Sequence, residues 1–480
     1  MNWAAVSVEL GVCAWILLLL VADMVLPAAR KASLWLLAFL GVVFCAGLLL
    51  QQPPAGAFGD MFLADRFARY FKWLFLITAG TVILMTRAFP GPPLASAGAG
   101  RRHFSGNIGA FYILLLTALL GMLVLASIND LLMLFLGLEL LTFSLYVMAA
   151  YLRTDARCVE AGMKYLILGS VSSGFLVYGI ALLYGVAGTT SFPAIRAVLA
   201  SGPIPVTAQA GALLALAGLG FKVAAVPFHL WVPDVYEGAP TPVVALLSVG
   251  SKMAGVVALL RMLQGVFLPL QELWTGVLMA LSAATMLYGN LAAIPQTNIK
   301  RLLGYSSIGH AGYLLMGLST LPGSGAAAVG YYLLAYLFSN LTVFFVIVVA
   351  SDTIGGDQLD HYKGLSRRSP FLAAALFIGL LSLAGVPPLA GFVGKLLVLL
   401  AATQSHRLWL VGIGAVNVAI SLYYYLMVVK RMYLDAPGSP APIAVTRLNT
   451  LALALLVLGI LVVGIFQEPF LNAVNAAARL

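Results

Sequence analysis

Residues 218–243 read GLGFKVAAVPFHLWVPDVYEGAPTPV, and they combine features that an uninterrupted membrane-spanning helix avoids. Lys222 and His229 stand in an otherwise apolar run. Proline lacks a backbone N–H and breaks an α-helix from within. The stretch therefore predicts an interrupted helix with ionisable side chains beside the break. The prolines concerned are Pro227, Pro233, Pro240 and Pro242.

The composition identifies the solvent around this stretch. Hydrophobic residues make up 62% of the 480 residues and charged residues only 9%, whereas a water-soluble domain carries roughly a quarter charged residues. We therefore expect an integral membrane protein in contact with a lipid bilayer. The net charge of +10 is attributed to membrane topology and lipid headgroups. Nucleic acid is not an expected partner, because base-stacking aromatics and a soluble basic face are both missing.

The number of membrane spans follows from the apolar runs. A helix needs about 20 apolar residues to cross a bilayer. We predict an all-α polytopic membrane protein with about 14 transmembrane helices and no soluble domain between them. The predicted spans are 8–26, 33–50, 71–88, 107–127, 130–151, 162–186, 208–232, 240–264, 271–294, 300–320, 326–350, 370–402, 408–432 and 448–469.

The basic residues predict the orientation, since cytoplasmic loops carry an excess of Lys and Arg. No basic residue precedes the first apolar run, which we expect to be a retained helix with its N-terminus outside. This topology places 16 of the 26 basic residues in inner loops. Seven are expected at the outer side, among them Lys72 and Arg261. Both chain termini are then on the outer side.

Three lysines remain, and they fall inside predicted spans: Lys222, Lys252 and Lys395. A lysine near a bilayer centre costs about 2.5–3.5 kcal/mol on insertion scales. Glu139 is expected at a similar depth, because it follows Asp130, at the predicted start of its span, by nine residues. Nine helical residues rise roughly 13–14 Å, close to the midplane of a ~30 Å hydrocarbon core. Four such groups indicate a function that requires them.

Proton movement is the function that these groups favour. Burial disfavours the charged form of a lysine, whereas a nearby carboxylate favours it. A lysine under both influences can load or release a proton when its distance from the carboxylate changes. Broken helices beside charged groups commonly mark an ion path. Pro387 and Pro388 interrupt the span that carries Lys395, as Pro227 interrupts the span that carries Lys222.

Two histidines are candidates for a supporting role in the same path. His229 follows Lys222 by seven residues, so both would share one face if the helix continued past Pro227. His310 lies mid-span in IKRLLGYSSIGHAGY, residues 299–313. Imidazoles can carry or position protons. A hydrogen-bonding core histidine is the alternative interpretation for each, and the tyrosines at 423–425 are interpreted as packing residues.

The spans also predict an internal repeat. Spans 4–8 and 9–13 each contain five helices, an odd number that inverts the second block relative to the first. In each block the fourth span carries a lysine and a proline break, and the order of the two is reversed. This pattern favours two inverted five-helix repeats, a common transporter architecture. We divide the chain into three N-terminal helices (1–106), a first repeat (107–265), a second repeat (266–435) and a C-terminal helix (436–480).

Three motifs carry a family resemblance. They are FKVAAVPFHLWVPDVYEGAPTPV at 221–243, IKRLLGYSSIGHAGY at 299–313 and GVPPLAGFVGK at 385–395. Together they resemble the antiporter-like subunits of respiratory complex I, shared with Mrp-type sodium/proton antiporters. The resemblance covers residues 107 to 435. Lys395 occupies a position at which one branch of the family carries glutamate. A second branch is longer and ends in a lateral amphipathic helix. The sequence is therefore most similar to a third branch of the family.

The resemblance implies roles for individual residues. Glu139 would pair with Lys222, which would load an input half-channel. Lys252 would connect the two halves, Lys395 would serve the exit side, and His229 and His310 would support the water wire. Quinone reduction elsewhere in the complex would drive the transport.

The resemblance also implies partners and a location. Other membrane-arm subunits, including a further antiporter-like subunit, and a bacterial inner membrane are expected. The chain shows no metal, haem, flavin or iron–sulfur ligand set, so NADH, FMN, iron–sulfur clusters and quinone are expected elsewhere in the complex. The enzyme would thus be an NADH-quinone oxidoreductase in which this chain is a translocase subunit.

Three alternatives to a proton-translocating subunit stay open at this point. A sodium/proton antiporter subunit could use the same charged helices, and sodium-dependent transport would favour it. An inert structural subunit could fill the same position, although it would have no need of the central charges. A carrier of organic solutes would be supported by arginines near mid-depth, and the sequence shows none there.

Overall fold

The computed structural model describes residues 2–89, 107–437 and 441–478, and helices dominate all three ranges. Arg101, Arg102 and Arg479, which entered the charge comparison, lie outside the described residues. Two short antiparallel strands, β1 and β2, form the hairpin Ala55–Ala57 with Phe62–Ala64. The helices of the first half are α1 Ser7–Val25, α2 Leu34–Gln51, α3 Arg66–Ala88, α4 Ile108–Ala126, α5 Leu131–Ala149, α6 Ala156–Ala187, α7 Phe192–Ala200, α8 Val206–Val223, α9 Trp231–Gly238, α10 Thr241–Leu246 and α11 Lys252–Gly265.

The second half continues the helical pattern. Its helices are α12 Gln271–Ala293, α13 Ile299–Ser319, α14 Gly325–Ile354, α15 Leu365–Arg368, α16 Pro370–Ala384, α17 Ala390–Gln404, α18 Leu408–Tyr433, α19 Arg447–Ile465 and α20 Gln467–Ala478.

The predicted membrane architecture is confirmed. Within the described residues, 12 helices are long and apolar enough to cross a bilayer. The two remaining predicted spans coincide with α13, whose 21 residues include more polar side chains, and with the interrupted pair α16 and α17. The count of 14 is therefore compatible with the structure.

The first interrupted helix breaks where the prolines of residues 218–243 predicted. Helix α8 ends at Val223, and Ala224 adopts a left-handed conformation with φ of 66°. The freed backbone N–H of Val226 donates to Thr285 Oγ1 at 3.0 Å. Within a membrane such a freed group must be satisfied by protein or water. Because the helix does not continue past Pro227, the condition under which Lys222 and His229 would share one helical face is not met.

The second interrupted helix repeats this arrangement. Helix α16 ends at Ala384, and Gly385 takes φ of 89°, a conformation in which glycine has no steric penalty. The chain resumes as α17 at Ala390. Both interruptions lie in the fourth span of a predicted five-helix block, which is compatible with the inverted repeats. The four-part division of the chain stays a prediction.

The centre of the molecule is formed by two spans. All residues of the apolar window of Thr241–Gly265 are buried, and 94% of that of Gly325–Ser351 are. The first of these spans is not a regular α-helix, because a π-helical turn, Leu247–Ser251, separates α10 from α11. Such turns are frequently found at functional sites. Lys252 directly follows the π-helical turn. Because this span is wholly enclosed by other helices, Lys252 lies in the protein interior rather than at a lipid-facing surface.

Two residues assigned to the outer loops are instead buried within helices. Lys72 belongs to α3 and forms an ion pair with Glu9 of α1 at 2.7 Å. Arg261 belongs to α11 and binds both carboxylate oxygens of Asp65 at 2.7 Å each. The error has a physical reason. A charge count along the sequence cannot detect an acidic partner from a distant part of the chain, and such a partner stabilises each of these cations inside the protein.

Candidate functional site

Lys222 lies in the last turn of α8, immediately before the helix break, and its side chain is 2% exposed. Its Nζ donates to Thr142 Oγ1 of α5 at 2.7 Å and to Tyr165 OH of α6 at 3.2 Å. The ammonium is thus held by neutral hydroxyl groups. The chain turns away at Ala224, directly after the end of α8. The ammonium group of Lys222 lies beside this break, between α8 and its partners on α5 and α6.

Glu139 lies one helical turn before Thr142 on α5 and is half-buried. Its carboxylate accepts a hydrogen bond from Ser173 Oγ of α6 at 2.5 Å. In the described part of the chain no ion pair within 4.0 Å joins Glu139 to Lys222. The direct pairing expected from the sequence is therefore not found. Thr142 lies on the same stretch of α5 as Glu139 and contacts the lysine in its place.

Lys252 contacts the second half of the chain. Its Nζ donates to both the carbonyl oxygen and the hydroxyl of Ser307 on α13. The ammonium also lies 5.8 Å from the centre of the Tyr336 ring on α14, within the range of a cation–π interaction. Lys252 is buried, with 2% of its surface exposed.

Helix α11 also connects Lys252 to Lys222. Gly255 follows Lys252 by three residues, and a methyl group at Gly255 would lie 3.2 Å from Cβ and from Cγ of Lys222. The stem of Lys222 therefore packs directly on the turn of α11 that follows Lys252. The two lysines are held by adjacent helices that touch at this glycine.

Helix α13 joins Lys252 to the last of the three lysines. Ser307, His310 and Tyr313 are spaced three residues apart, so they follow one side of the helix. Ser307 binds Lys252, and the Tyr313 ring centre lies 5.2 Å from Lys395 Nζ. Between them on α13, the His310 ring centre lies 5.0 Å from that of Tyr336, the same ring that Lys252 Nζ approaches. One face of α13 thus extends from Lys252 to Lys395.

His310 is surrounded by tyrosines. Its Nδ1 is 2.6 Å from Tyr332 OH on α14, and its Nε2 is 3.2 Å from Tyr425 OH on α18. Tyr425 also hydrogen-bonds to Ser306. The donor and acceptor roles depend on the histidine tautomer, which geometry alone does not assign. The imidazole therefore has a hydroxyl partner on each ring nitrogen, an arrangement that can pass a proton from one side of the ring to the other.

Lys395 lies at the second helix break and is 4% exposed. Its Nζ donates to the carbonyl oxygen of Ala384 at 2.8 Å and to Ser421 Oγ at 3.4 Å. Ala384 is the last residue of α16, and a helix C-terminus carries a partial negative charge. The broken helix thus supplies an acceptor that a continuous helix would use internally.

The structure places His229 apart from this network. It lies between α8 and α9, is 4% exposed, and packs against Tyr288 with ring centres 4.4 Å apart. Neither ring nitrogen has a hydrogen-bond partner in the described residues. The structure does not bring His229 into contact with Lys222, in contrast with the expectation.

Comparison with known proteins identifies the family. The family described as "NADH:quinone oxidoreductase/Mrp antiporter, TM" matches residues 128–421, more than half of the chain. The chain belongs to this family. The resemblance carried by the motifs at 221–243, 299–313 and 385–395 is confirmed.

Relatives along the whole chain refine this assignment. A curated protein of Desulforamulus reducens named NADH-quinone oxidoreductase subunit N is 39% identical, with 100% of this chain and 98% of that protein covered. Respiratory complex I from Thermus thermophilus contains a chain that is 32% identical with a TM-score of 0.81, covering 98% of this chain and 99% of that one. A chain of the Mrp complex from Dietzia is 20% identical with a TM-score of 0.83, covering 100% of this chain and 97% of that one, and shows the shared fold alone.

Several network residues of this family member escaped the sequence analysis. Thr142 and Tyr165 are the partners of Lys222, but a lone hydroxyl residue in a membrane helix gives no distinguishing signal. Tyr425 was interpreted as packing, yet its hydroxyl contacts Ser306 and His310. The tyrosine run at 423–425 was the available signal, since a tyrosine hydroxyl buried in a membrane interior needs a polar partner.

Proposed function

We propose that this chain is the N-type antiporter-like subunit of a membrane-bound NADH-quinone oxidoreductase and that it translocates protons through its interior. The observation that carries the proposal is the arrangement of three buried lysines on adjoining helices: Lys222 packs on the turn of α11 that follows Lys252, and one face of α13 joins Lys252 to Lys395. Membrane interiors tolerate such groups where they serve a pathway. The subunit named in the Desulforamulus relative supports the assignment to the N branch.

The first part of the proposed path runs from Glu139 to Lys222. The carboxylate binds Ser173, and Lys222 binds Thr142 one helical turn further along α5. A shift of either side chain changes the separation of the two charges. A shorter separation favours the ammonium form of Lys222, and a longer one favours release of its proton. Glu139 therefore acts as the control charge and Lys222 as the loading group.

The second part runs from Lys252 to Lys395. When Lys252 gives up a proton, its ammonium becomes a neutral amine, and the proton passes to a neighbouring hydroxyl or water. Each relay group accepts one proton and donates another, so no net charge accumulates on Ser307 or the tyrosines. His310 lies between the two lysines and has a hydroxyl on each ring nitrogen. Lys395 then receives the proton at the second helix break.

The roles of neighbouring chains and cofactors belong to the same proposal. The chain works beside other membrane-arm subunits, including a further antiporter-like subunit, in a bacterial inner membrane with both termini outside. NADH, FMN, iron–sulfur clusters and quinone are held elsewhere in the complex and supply the free energy. Within this chain the lysines, the carboxylate and the hydroxyls only hold and move protons. His229, near the first break, contributes to water binding there.

The test uses assembled complexes in sealed proteoliposomes. Lys222→Ala and Lys395→Ala are expected to leave assembly and quinone reduction measurable but to lower the number of protons moved per NADH oxidised. Lys363→Ala is the matched control, because Lys363 lies in a loop and pairs only with the exposed Asp360. It should pump as the unmodified complex does.

Two results would contradict the proposal. Normal proton stoichiometry in both Lys222→Ala and Lys395→Ala would favour an inert structural subunit. Transport that requires sodium, measured by replacing sodium with potassium on both sides of the membrane, would favour a sodium/proton antiporter subunit.

A further inference from the structure

A large cavity lies at the end of the helix bundle that the charge count predicts to be the outer one. Its volume is about 1200 Å³. The cavity is lined by the first residues of α3 and α7, the last turn of α11, the loop before α14 and the amphipathic helix α20. Lys222, Lys252 and Lys395 do not line this cavity. The proton path described above therefore leaves this cavity without a role.

The charged residues of the cavity are mainly basic. Arg66, Arg196 and Arg261 line it, and Asp65 is its one lining carboxylate among the described residues. Arg261 binds both oxygens of Asp65 at 2.7 Å, so these two charges compensate each other. Arg66 has no hydrogen bond or ion pair within the described ranges, and Arg196 has one long contact, 3.4 Å to the carbonyl oxygen of Gln264. Two guanidinium groups thus remain available to an anion.

The backbone adds to the positive potential. Helices α3, α7 and α14 all begin at the cavity, and a helix N-terminus carries a partial positive charge. Neither Ser191 nor Ser324, the residues before α7 and α14, caps its helix with a side-chain hydrogen bond. The side-chain amides of Asn129, Asn472 and Asn475 line the same cavity and add polar groups to it. An amide oxygen can accept a hydrogen bond from a hydroxyl group of a ligand.

Apolar side chains complete the lining and indicate an amphiphile. Leu63, Phe192 and Leu268 face the same space as the arginines. The cavity lies where membrane-crossing helices end, which is the depth of lipid headgroups. A ligand that fits has a phosphate oxyanion for Arg66 and Arg196, hydroxyl groups for the lining amides and an apolar part for the remaining wall.

We propose that this cavity binds the headgroup of an anionic phospholipid through Arg66 and Arg196. A glycerol-type headgroup satisfies each element of the lining, because its phosphodiester is anionic and its hydroxyls are donors. The bound lipid would join the N-terminal helices to α11, the helix that begins with Lys252. Inorganic phosphate offers the same oxyanion chemistry without the apolar part, so the experiment must separate the two sources.

The experiment is native mass spectrometry of the full-length chain purified in detergent. The added probes are phosphatidylglycerol, phosphatidylcholine and, as a competitor, inorganic phosphate. The unmodified chain is expected to bind phosphatidylglycerol at least tenfold more tightly than phosphatidylcholine. Arg66→Gln combined with Arg196→Gln should remove that preference. Arg407→Gln is the control, since Arg407 is also at the outer end but does not line the cavity.

The outcomes separate as follows. Loss of the preference in the double variant but not in Arg407→Gln supports the proposal. An unchanged preference in the double variant overturns it, provided that its thermal unfolding matches that of the control. Displacement of the lipid by equimolar phosphate overturns the lipid assignment in favour of a free anion. Loss of the lipid on assembly of the whole complex overturns it in favour of a protein segment from a neighbouring subunit.

Discussion

At the scale of single residues, the partners of four buried lysines separate two kinds of site. Lys72 is bound by the carboxylate of Glu9 at 2.7 Å. Lys222, Lys252 and Lys395 are instead bound by hydroxyl and carbonyl oxygens. Neutral acceptors stabilise an ammonium ion less than a carboxylate does. This difference supports the proposed proton exchange at these three lysines and favours a structural role for Lys72.

The contact of Gly255 with Lys222 makes a prediction. In Gly255→Ala the added methyl group would meet Cβ and Cγ of Lys222 at 3.2 Å and Cγ1 of Val223 at 3.1 Å. At these distances the Lys222 side chain must move by a few tenths of an ångström. Overpacking of this kind costs about 1–3 kcal/mol. We expect assembled complexes to pump protons about fivefold more slowly, equivalent to ~1 kcal/mol in the barrier. The measurement is the initial rate of NADH-driven proton uptake by proteoliposomes.

The matched control for this prediction is Gly276→Ala. A methyl group at Gly276 on α12 has no heavy atom within 4 Å, so the pumping rate should not change. Equal rates in Gly255→Ala and Gly276→Ala would show that the packing of α11 on Lys222 does not matter for transport.

The structural role of Lys72 is tested by a double-mutant cycle. Lys72→Met leaves the Glu9 carboxylate unpaired in the interior, which costs about 3–5 kcal/mol for a buried pair. Glu9→Leu should destabilise to a similar extent, whereas Glu9→Leu with Lys72→Met should recover most of the loss. The measurement is the thermal unfolding midpoint in detergent. The double variant should also pump normally, and a proton-pumping defect in a stable double variant would mean that this pair belongs to the proton path.

At the scale of helices and strands, the sequence predicted the positions of helix breaks and the depths of charged residues better than it predicted the contact partners of those residues. Prolines 227 and 387–388 indicated both interrupted helices, because proline acts locally along the chain. Lys252 was expected about 12 residues into its span, and it is the twelfth residue of Thr241–Gly265. The π-helical turn at Leu247–Ser251 had no signal, since it contains neither proline nor an inserted charge. The separation of Glu139 from Lys222 depends on how α5, α6 and α8 pack, which no local pattern records.

A cluster of charges ties three helices together at the predicted inner end. Asp234 of α9 binds Lys164 of α6 at 2.6 Å and Arg301 of α13 at 2.7 Å. Asp234→Asn removes the charge that holds both cations. We expect it to destabilise the protein by ~1 kcal/mol, a value limited by the partial exposure of the three side chains. The measurement is again the unfolding midpoint of the purified chain.

Asp360→Asn provides the comparison for Asp234→Asn. Asp360 also contacts two cations, Lys363 at 3.2 Å and Arg431 at 3.3 Å, but its side chain is 65% exposed. Exposed pairs contribute little to stability, so this variant should unfold as the unmodified chain does. The assignment of Asp234 as a link between helices would be wrong if both variants had the same midpoint.

At the scale of the whole molecule, the fold places its most polar path in its most buried layer. The spans Thr241–Gly265 and Gly325–Ser351 are almost wholly enclosed by other helices. Helix α13, beside them, carries the polar face that joins Lys252 to Lys395. Composition predicted the membrane architecture because hydropathy can be read along the whole chain. It could not predict the tyrosine partners of His310, which come from α14 and α18.

The central claim is that the interior between Lys222, Lys252 and Lys395 conducts protons through water and hydroxyl groups. The most direct test is an experimental structure of the assembled complex at a resolution that reveals ordered water. The account predicts water molecules that connect the three lysines by way of Ser307 and His310, with each gap spanned by hydrogen bonds. Dry apolar packing between any two of these lysines in every conformational state of the working complex would contradict it.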